Sequence, residues 1–138
     1  MVDALHEVHR VLAPRGILVD ARPDSRLLAY AERRSGGTYQ RYGVVNTARL
    51  EQANDRASDR AIEHVVREGL FKPKRHGRIW HRVPFDSLAA LRLYLWDHLR
   101  FVRRARWTVD APTRRRHAND PFAIRRAVRY EVLERVAP

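Results

Sequence analysis

Clustered arginines are the residues of this sequence best suited to chemistry. Arg114, Arg115 and Arg116 follow one another, and segment 103–106 just before them holds three more arginines. Guanidinium groups bind phosphates and carboxylates through paired hydrogen bonds, so a patch of this kind suits a nucleic acid or another polyanion. We therefore predict Arg114, Arg115 and Arg116 as a candidate nucleic-acid-binding site. The alternative is a solvated face without a ligand.

Metal-binding and catalytic patterns are weak by comparison. His6 and His9 lie three residues apart on a predicted helix, a spacing that can chelate a metal ion. No third ligand follows at a recognisable distance, so we predict no metal site. The sequence shows no Ser-His-Asp arrangement and no paired carboxylates, although distant residues can converge in a fold. No catalytic residue is assigned.

Charge is the extreme feature of the composition. The 138 residues carry a formal net charge of +12, and Lys72 and Lys74 are the only lysines among 28 basic residues. A GC-rich genome produces such arginine usage, and polyanion binding is the functional alternative. The hydrophobic fraction of 44% and the absence of cysteine suit one globular domain over residues 1–138 in a reducing cytoplasm. No apolar run is long enough to span a membrane, so no membrane partner is expected.

The first third of the chain predicts a helix, a short turn, a strand and a hairpin. A helix is expected over residues 2–13, ended by Pro14 and Gly16, with glycine supplying the backbone freedom of the reversal. Ile17, Leu18 and Val19 are apolar without alternation, which predicts a strand covered on both faces. Residues 26–45 predict a hairpin that turns at residues 35–37, and a helix over residues 27–34 is the competing interpretation.

The rest of the chain predicts helices alternating with two strands. Thr47 caps a helix over residues 48–68 in this prediction, with an inner stripe formed by Leu50, Ala53, Ala57, Ala61 and Val65. A strand at residues 78–85 precedes a helix capped by Asp86 or Ser87. The stripe of that helix is Leu88, Leu91, Leu95, Leu99 and Val102. A short helix near residues 113–118 and a final strand over residues 122–132 complete the prediction.

Tryptophans could stack on nucleic-acid bases where they alternate with arginines. Trp80 and Trp96 fall next to predicted core positions, so packing is the expected role of both. Trp107 lies between Arg106 and Thr108 and is expected to be the exposed one.

The segment ALHEVHRVLAPRGILVDARP resembles class I S-adenosylmethionine-dependent methyltransferases of the methyltransferase type 11 kind. In that family, a helix of the pattern L-x-E-x-x-R-V-L-x-P-G-G leads into the fifth strand of the sheet. Arg15 stands here in place of the first glycine. The matching residues are Leu5, Glu7, Arg10, Val11, Leu12, Pro14 and Gly16. Two later segments, SDRAIEHVVREGLF and VPFDSLAALRLYL, look like the tail half of bacterial members.

The resemblance covers most of the chain, but only as the C-terminal part of the family fold. It implies an α/β, partial Rossmann-like methyltransferase fold, with a mixed sheet, a hairpin insertion and about three to four helices. The family holds S-adenosylmethionine with a glycine-rich loop after its first strand and an acidic residue at the end of its second. Neither has a counterpart here. We therefore expect no cofactor in this chain, and S-adenosylmethionine only in a full-length form.

The resemblance also implies that this part of the fold lines the methyl acceptor. Asp20 and Arg22, at the end of the strand, are the candidate substrate-binding residues; the alternative is that they only solvate the strand end. The leading hypothesis is a truncated methyltransferase-like domain that is inactive alone. The alternatives are a small basic module that binds nucleic acid or another polyanion, and a structural partner that completes another chain.

An unpaired strand edge predicts association. In the complete family fold, the strand of residues 17–19 pairs with a neighbour that has no counterpart here. Its edge and apolar side chains would then be exposed, which favours association. We predict a homodimer that covers segment 2–19 around a two-fold axis, or a partner chain that covers the strand edge.

Overall fold

The computed structural model describes residues 1–46, 49–98 and 105–137. These residues form four helices and six strands in an α/β arrangement, with the hairpin at its predicted place. In chain order the elements are α1 (Val2–Val11), β1 (Ile17–Pro23), β2 (Ala29–Ser35), β3 (Thr38–Val45), α2 (Arg49–Arg67), β4 (Phe71–Phe85), α3 (Leu88–His98), β5 (Ala105–Trp107), α4 (Ala111–Arg116) and β6 (Phe122–Arg135).

The strands pair antiparallel, in the order β1-β6-β2-β3-β5, and β4 also pairs with β6. The prediction of a mixed sheet is therefore wrong for the described strands. The resemblance implied the mixed sheet, and the apolar run at residues 17–19, typical of a strand covered on both faces, agreed with it. The structure covers one face only, because Leu18 packs on buried side chains while Ile17 and Val19 are 50% and 56% exposed.

The chain folds into two compact units. The first unit holds residues 1–24, 53–79 and 128–138, and the second holds residues 25–52 and 80–127. Each unit has its own hydrophobic core. The core of the first unit consists of Leu5, Ala61, Ile62, Val65, Phe71 and Leu133. The core of the second unit consists of Ala29, Ala31, Tyr42, Val45, Leu88, Leu91, Phe122 and Ile124.

A tight turn joins α1 to β1. The Gly16 amide donates a hydrogen bond to the Ala13 carbonyl at 2.8 Å, with Pro14 second in the turn and Arg15 third. Arg15 has φ 62°, the positive value that the third residue of a type II turn requires. The prediction that Gly16 supplies the unusual backbone conformation is thus wrong. Gly16 is needed for space instead, because a Cβ there would lie 2.7 Å from the Ala13 carbonyl oxygen.

The hairpin of β2 and β3 contains a bulge that sets the direction of its side chains. Ala31 pairs with Gly43, but Glu32 pairs with Arg41, so Tyr42 is the extra residue. Tyr42 enters the core of the second unit, where its ring meets Phe122 edge-on at 5.5 Å between centroids. Residues beyond the bulge keep their alternation, and Arg41 lies on the sheet face opposite that core.

The predicted helix stripes hold only in part. Ala61 and Val65 of α2 are buried, but Ala53 and Ala57 are exposed, and Ile62 takes part in the core instead. The predicted cap Thr47, the start at Ala48 and the α3 stripe positions Leu99 and Val102 lie outside the described residues, and so does the Leu50 side chain.

The start of α3 resolves the choice between its two predicted caps. Ser87 Oγ accepts a hydrogen bond from the Ala90 amide at 3.2 Å, which makes Ser87 the capping residue. A length and apolarity sufficient to cross a bilayer are found in none of the helices that the structure describes.

The turn conformation predicts that replacing Arg15 with glycine stabilises the protein. A left-handed backbone conformation costs an L-residue about 1–2 kcal/mol, and glycine avoids this cost. Glycine is also more flexible in the unfolded chain, which offsets about 0.5–1 kcal/mol of the gain. The Arg15 side chain is 82% exposed and reaches Glu134 only at 3.9 Å, so little is lost with it. We expect Arg15→Gly to raise the free energy of unfolding in urea by about 0.5–1 kcal/mol.

Gly16→Ala is the control for this measurement. Its Cβ would collide with the Ala13 carbonyl oxygen, so the same urea titration should show a loss of stability. A destabilising Arg15→Gly substitution would contradict the assignment of the positive φ to position 15.

Candidate functional site

The predicted substrate-binding residues Asp20 and Arg22 lie together in the first unit. They are two positions apart on β1 and therefore share one face of the strand. Arg22 Nε donates to Asp20 Oδ2 at 2.7 Å, and each side chain is 17% exposed. The remaining guanidinium nitrogens of Arg22 bind α2, where Nη2 donates to Asp59 Oδ1 at 3.0 Å and Nη1 donates to the Asp55 carbonyl at 3.2 Å.

A second arginine completes this cluster. Arg129 on β6 pairs in register with Arg22 on β1, so two cations lie side by side on neighbouring strands. Directly opposed like charges destabilise a sheet. Asp59 relieves the repulsion by accepting from both, since Arg129 Nη2 donates to the same Oδ1 atom at 2.5 Å. One carboxylate of α2 therefore links β1 to β6.

The electrostatics of the cluster favour a structural role. Burial by itself raises the pKa of Asp59, but hydrogen bonds from Arg129 and Arg22 outweigh it and lower the pKa below its ordinary 3.8. Asp59 is then a carboxylate at neutral pH and accepts hydrogen bonds without donating any. Because all three guanidinium nitrogens of Arg22 have partners, a substrate that bound Arg22 would have to displace Asp20 or α2.

The predicted nucleic-acid-binding arginines lie on α4 in the second unit. Asp110 caps this helix, because its Oδ1 accepts from the Thr113 amide at 2.8 Å, and this hydrogen bond lowers the pKa of Asp110. Arg114 is engaged within the unit, where it donates to the Val109 carbonyl and lies 5.3 Å from the Trp107 ring. Arg115 and Arg116 are exposed. Arg103 and Arg104, expected in the same patch, lie outside the described residues.

The expectations for the three tryptophans are wrong. Trp107 packs against the core of the second unit, between the guanidinium groups of Arg92 and Arg114. Trp80 is 42% exposed and Trp96 is 79% exposed. The alternation of β4 placed Trp80 with Arg82, away from Val83 and Phe85, and this pattern was the sequence signal for an outward Trp80.

Histidines of α1 serve the structure of the first unit. His6 Nε2 lies 2.7 Å from Glu68 Oε2 at the end of α2, and the ring of His9 meets Phe71 edge-on at 5.5 Å. Within residues 1–46, 49–98 and 105–137, no three histidine, aspartate or glutamate side chains gather as a metal site would require.

No family model matches the chain, and no curated protein or solved structure matches it.

The shared carboxylate predicts that Asp59→Asn destabilises the first unit. The substitution leaves Arg22 and Arg129 opposed without an anion between them. A hydrogen bond to a charged group contributes about 1.5–3 kcal/mol to the free energy of unfolding. Because the Asp59 side chain is 38% exposed, solvent reduces the expected loss to about 1 kcal/mol. Urea denaturation at pH 7 measures the loss, and Glu63→Gln, at an exposed position of the same helix, is the control.

The same cluster predicts a pH dependence. Folding lowers the pKa of Asp59, so the carboxylate stabilises the folded state fully at a pH above its ordinary pKa of 3.8. This stabilisation is lost as the pH falls through the lower pKa of the folded state. Asp59→Asn should therefore flatten the fall of stability in acid, whereas Glu63→Gln should leave it as it is. Equal pH profiles for Asp59→Asn and the unmodified chain would contradict this assignment.

Proposed function

We propose that the chain is the C-terminal part of a class I methyltransferase-like domain and that it does not transfer methyl groups alone. The observation that carries this proposal is the turn between α1 and β1. The family pattern has glycine where this chain has Arg15, and Arg15 adopts the positive φ that glycine favours. A positive φ at the position of that glycine supports the proposal.

The order of elements supports the proposal further. The resemblance implies a strand, a hairpin insertion, a helix and two terminal strands that pair antiparallel. The chain has β1, the β2–β3 hairpin, α2, and then β4 and β6, which pair with each other. A partial Rossmann-like methyltransferase fold is the finer interpretation of this α/β arrangement that we propose.

The glycines of this chain do not fit S-adenosylmethionine. A cofactor loop needs glycines that let the backbone approach the ligand after a strand. All six glycines lie among the described residues, and each has another role. Gly36 and Gly37 turn the hairpin with φ 57° and 84°, and Gly69 ends α2 with φ 77°. Gly16 closes the α1–β1 turn, whereas Gly43 and Gly77 make room for Trp107 and Tyr130.

In this proposal the chain contributes acceptor-side surface to a domain whose cofactor half is elsewhere. Asp20 and Arg22 remain the proposed substrate-side residues, and a ligand would reach Arg22 by displacing Asp20 or the contacts with α2. A cytoplasmic location is part of the same proposal and follows from the absence of cysteine.

We expect the isolated chain to bind no S-adenosylmethionine at tens of micromolar. The physical reason is that its six glycines are committed to turns and close packing, so no glycine is left for a backbone loop around the ligand. Calorimetric titration of the folded chain measures this, with circular dichroism as the check on folding. A clear one-to-one isotherm would show that the chain holds the cofactor after all, and the proposed division of the domain would be wrong.

The exposed strand β1 supports a homodimer. In the strand order β1 stands at one end, and Ile17 and Val19 expose half or more of their surface. Val11, at the end of α1, is 63% exposed. A strand edge beside apolar side chains favours pairing with another strand, and a second copy would supply an identical edge across a two-fold axis.

We expect the chain to sediment as a dimer at high micromolar concentration and Val19→Lys to shift it to monomer. Because Val19 is 56% exposed, lysine can be placed there without entering a core. Leu93→Lys is the matched control, since Leu93 is a comparably exposed apolar residue on α3. A well-folded monomer of the unmodified chain would overturn the proposed assembly.

A further inference from the structure

One face of the sheet in the second unit carries aromatic rings and arginines together. On β2, Ala29 and Ala31 point into the core, so Tyr30 lies on the opposite face. Tyr30 pairs in register with Arg125 of β6, which places both side chains on that face. We call this surface the stacking face. Its residues are Tyr30, Tyr39, Arg41, Trp80, Arg82 and Arg125.

A guanidinium group lies over each aromatic ring of the stacking face. Arg41 Cζ lies 3.7 Å from the centroid of Tyr30, and Arg82 Cζ lies 4.0 Å from that of Tyr39. Arg125 Cζ lies 4.6 Å from the Trp80 ring, whose centroid is 6.1 Å from that of Tyr30. Among the described residues, the three shortest guanidinium–ring distances all lie on this face.

A buried carboxylate pairs with two of the three arginines of this face. Glu32 is 5% exposed, and its Oε2 accepts from Arg82 Nε at 2.7 Å. Its Oε1 lies 4.0 Å from Arg125 Nη1. Since Glu32 contributes one negative charge and the three arginines contribute three positive ones, the face keeps a positive excess. Its rings stay accessible, with Trp80 42% and Tyr39 37% exposed.

We propose that the stacking face binds single-stranded nucleic acid. Exposed aromatic rings on a sheet stack against unpaired bases, and neighbouring arginines contact phosphates and extend the stack. The net charge of +12 attracts a phosphate backbone toward the chain. The inference does not rest on the methyltransferase proposal, and its residues differ from the predicted Arg114–Arg116 site.

Single strands fit this face better than a duplex does. A duplex stacks its bases on one another and presents only their edges in its grooves, so the rings would gain no partner. A base-free polyanion would satisfy the arginines and leave the rings unused. The stacking face recognises an unpaired base and a phosphate, which RNA and DNA share, and both are expected to bind.

Fluorescence anisotropy of labelled oligonucleotides on the full chain tests the proposal. The probes are ten-nucleotide oligo(U) and oligo(dT), with a duplex of the same length and heparin as comparators. We expect both single strands to bind more tightly than the duplex, with an affinity that falls as salt rises. Failure to bind either single strand, or equal binding of the duplex, would overturn the proposal.

Matched tryptophan variants locate the binding face. Trp80→Ala should weaken binding of both single strands roughly tenfold, since stacking of one base is lost. Heparin binding should not change, and Trp80→Phe should restore most of the affinity. Trp96→Ala is the control, because Trp96 is 79% exposed on α3 in the same unit.

Two further variants keep the test decisive. Tyr39→Ala removes a second exposed ring and replaces Trp80→Ala if circular dichroism shows that the latter is unfolded. The double variant Arg115→Ala/Arg116→Ala removes exposed charge without removing a ring of the stacking face. If this double variant abolished single-strand binding while Trp80→Ala and Tyr39→Ala had no effect, binding would belong to α4 and the proposal would be wrong.

Discussion

Backbone pairing along β6 is the constraint on which both units depend. This strand of 14 residues pairs with β1, β2 and β4. Its first half places Phe122 and Ile124 in the core of the second unit, and its second half places Leu133 in the core of the first. Because side chains alternate along a strand, a shift of β6 by one residue would withdraw all three from their cores. The placement of both cores therefore depends on the register in which β6 pairs with β1 and β2.

The hairpin turn and the two faces of β4 could be predicted from the sequence, whereas contacts between distant elements could not. Ser35-Gly36-Gly37 indicates a hairpin because the two glycines accept the positive φ values that its turn requires. The alternation of β4 carried a signal for an outward Trp80, because Trp80 and Arg82 lie on the face opposite Val83 and Phe85. Asp59 meets its two arginines across 37 and 70 positions, so a contact between three elements decides its role. No local pattern predicts such a contact.

Arginine serves two different purposes in this chain. In the first unit, Arg22 and Arg129 are held by acidic side chains and link strands to a helix. In the second unit, Arg41 and Arg125 lie against aromatic rings. A planar guanidinium group can do both because its edge donates hydrogen bonds while its face stacks. The overall charge of the chain therefore says less about function than the partner that each arginine has.

The bulge at Tyr42 couples the core of the second unit to its outer surface. If Tyr42 took a regular place in the ladder instead of forming the bulge, the alternation between it and the turn would reverse, and Arg41 and Tyr39 would turn toward the core while Gln40 turned outward. Over evolutionary time this hairpin can accept many substitutions on its outer face, where each side chain changes alone. It can accept far fewer insertions or deletions between the turn and the bulge, since a single one exchanges inside for outside. Selection therefore tolerates substitutions in this strand more readily than changes in its length.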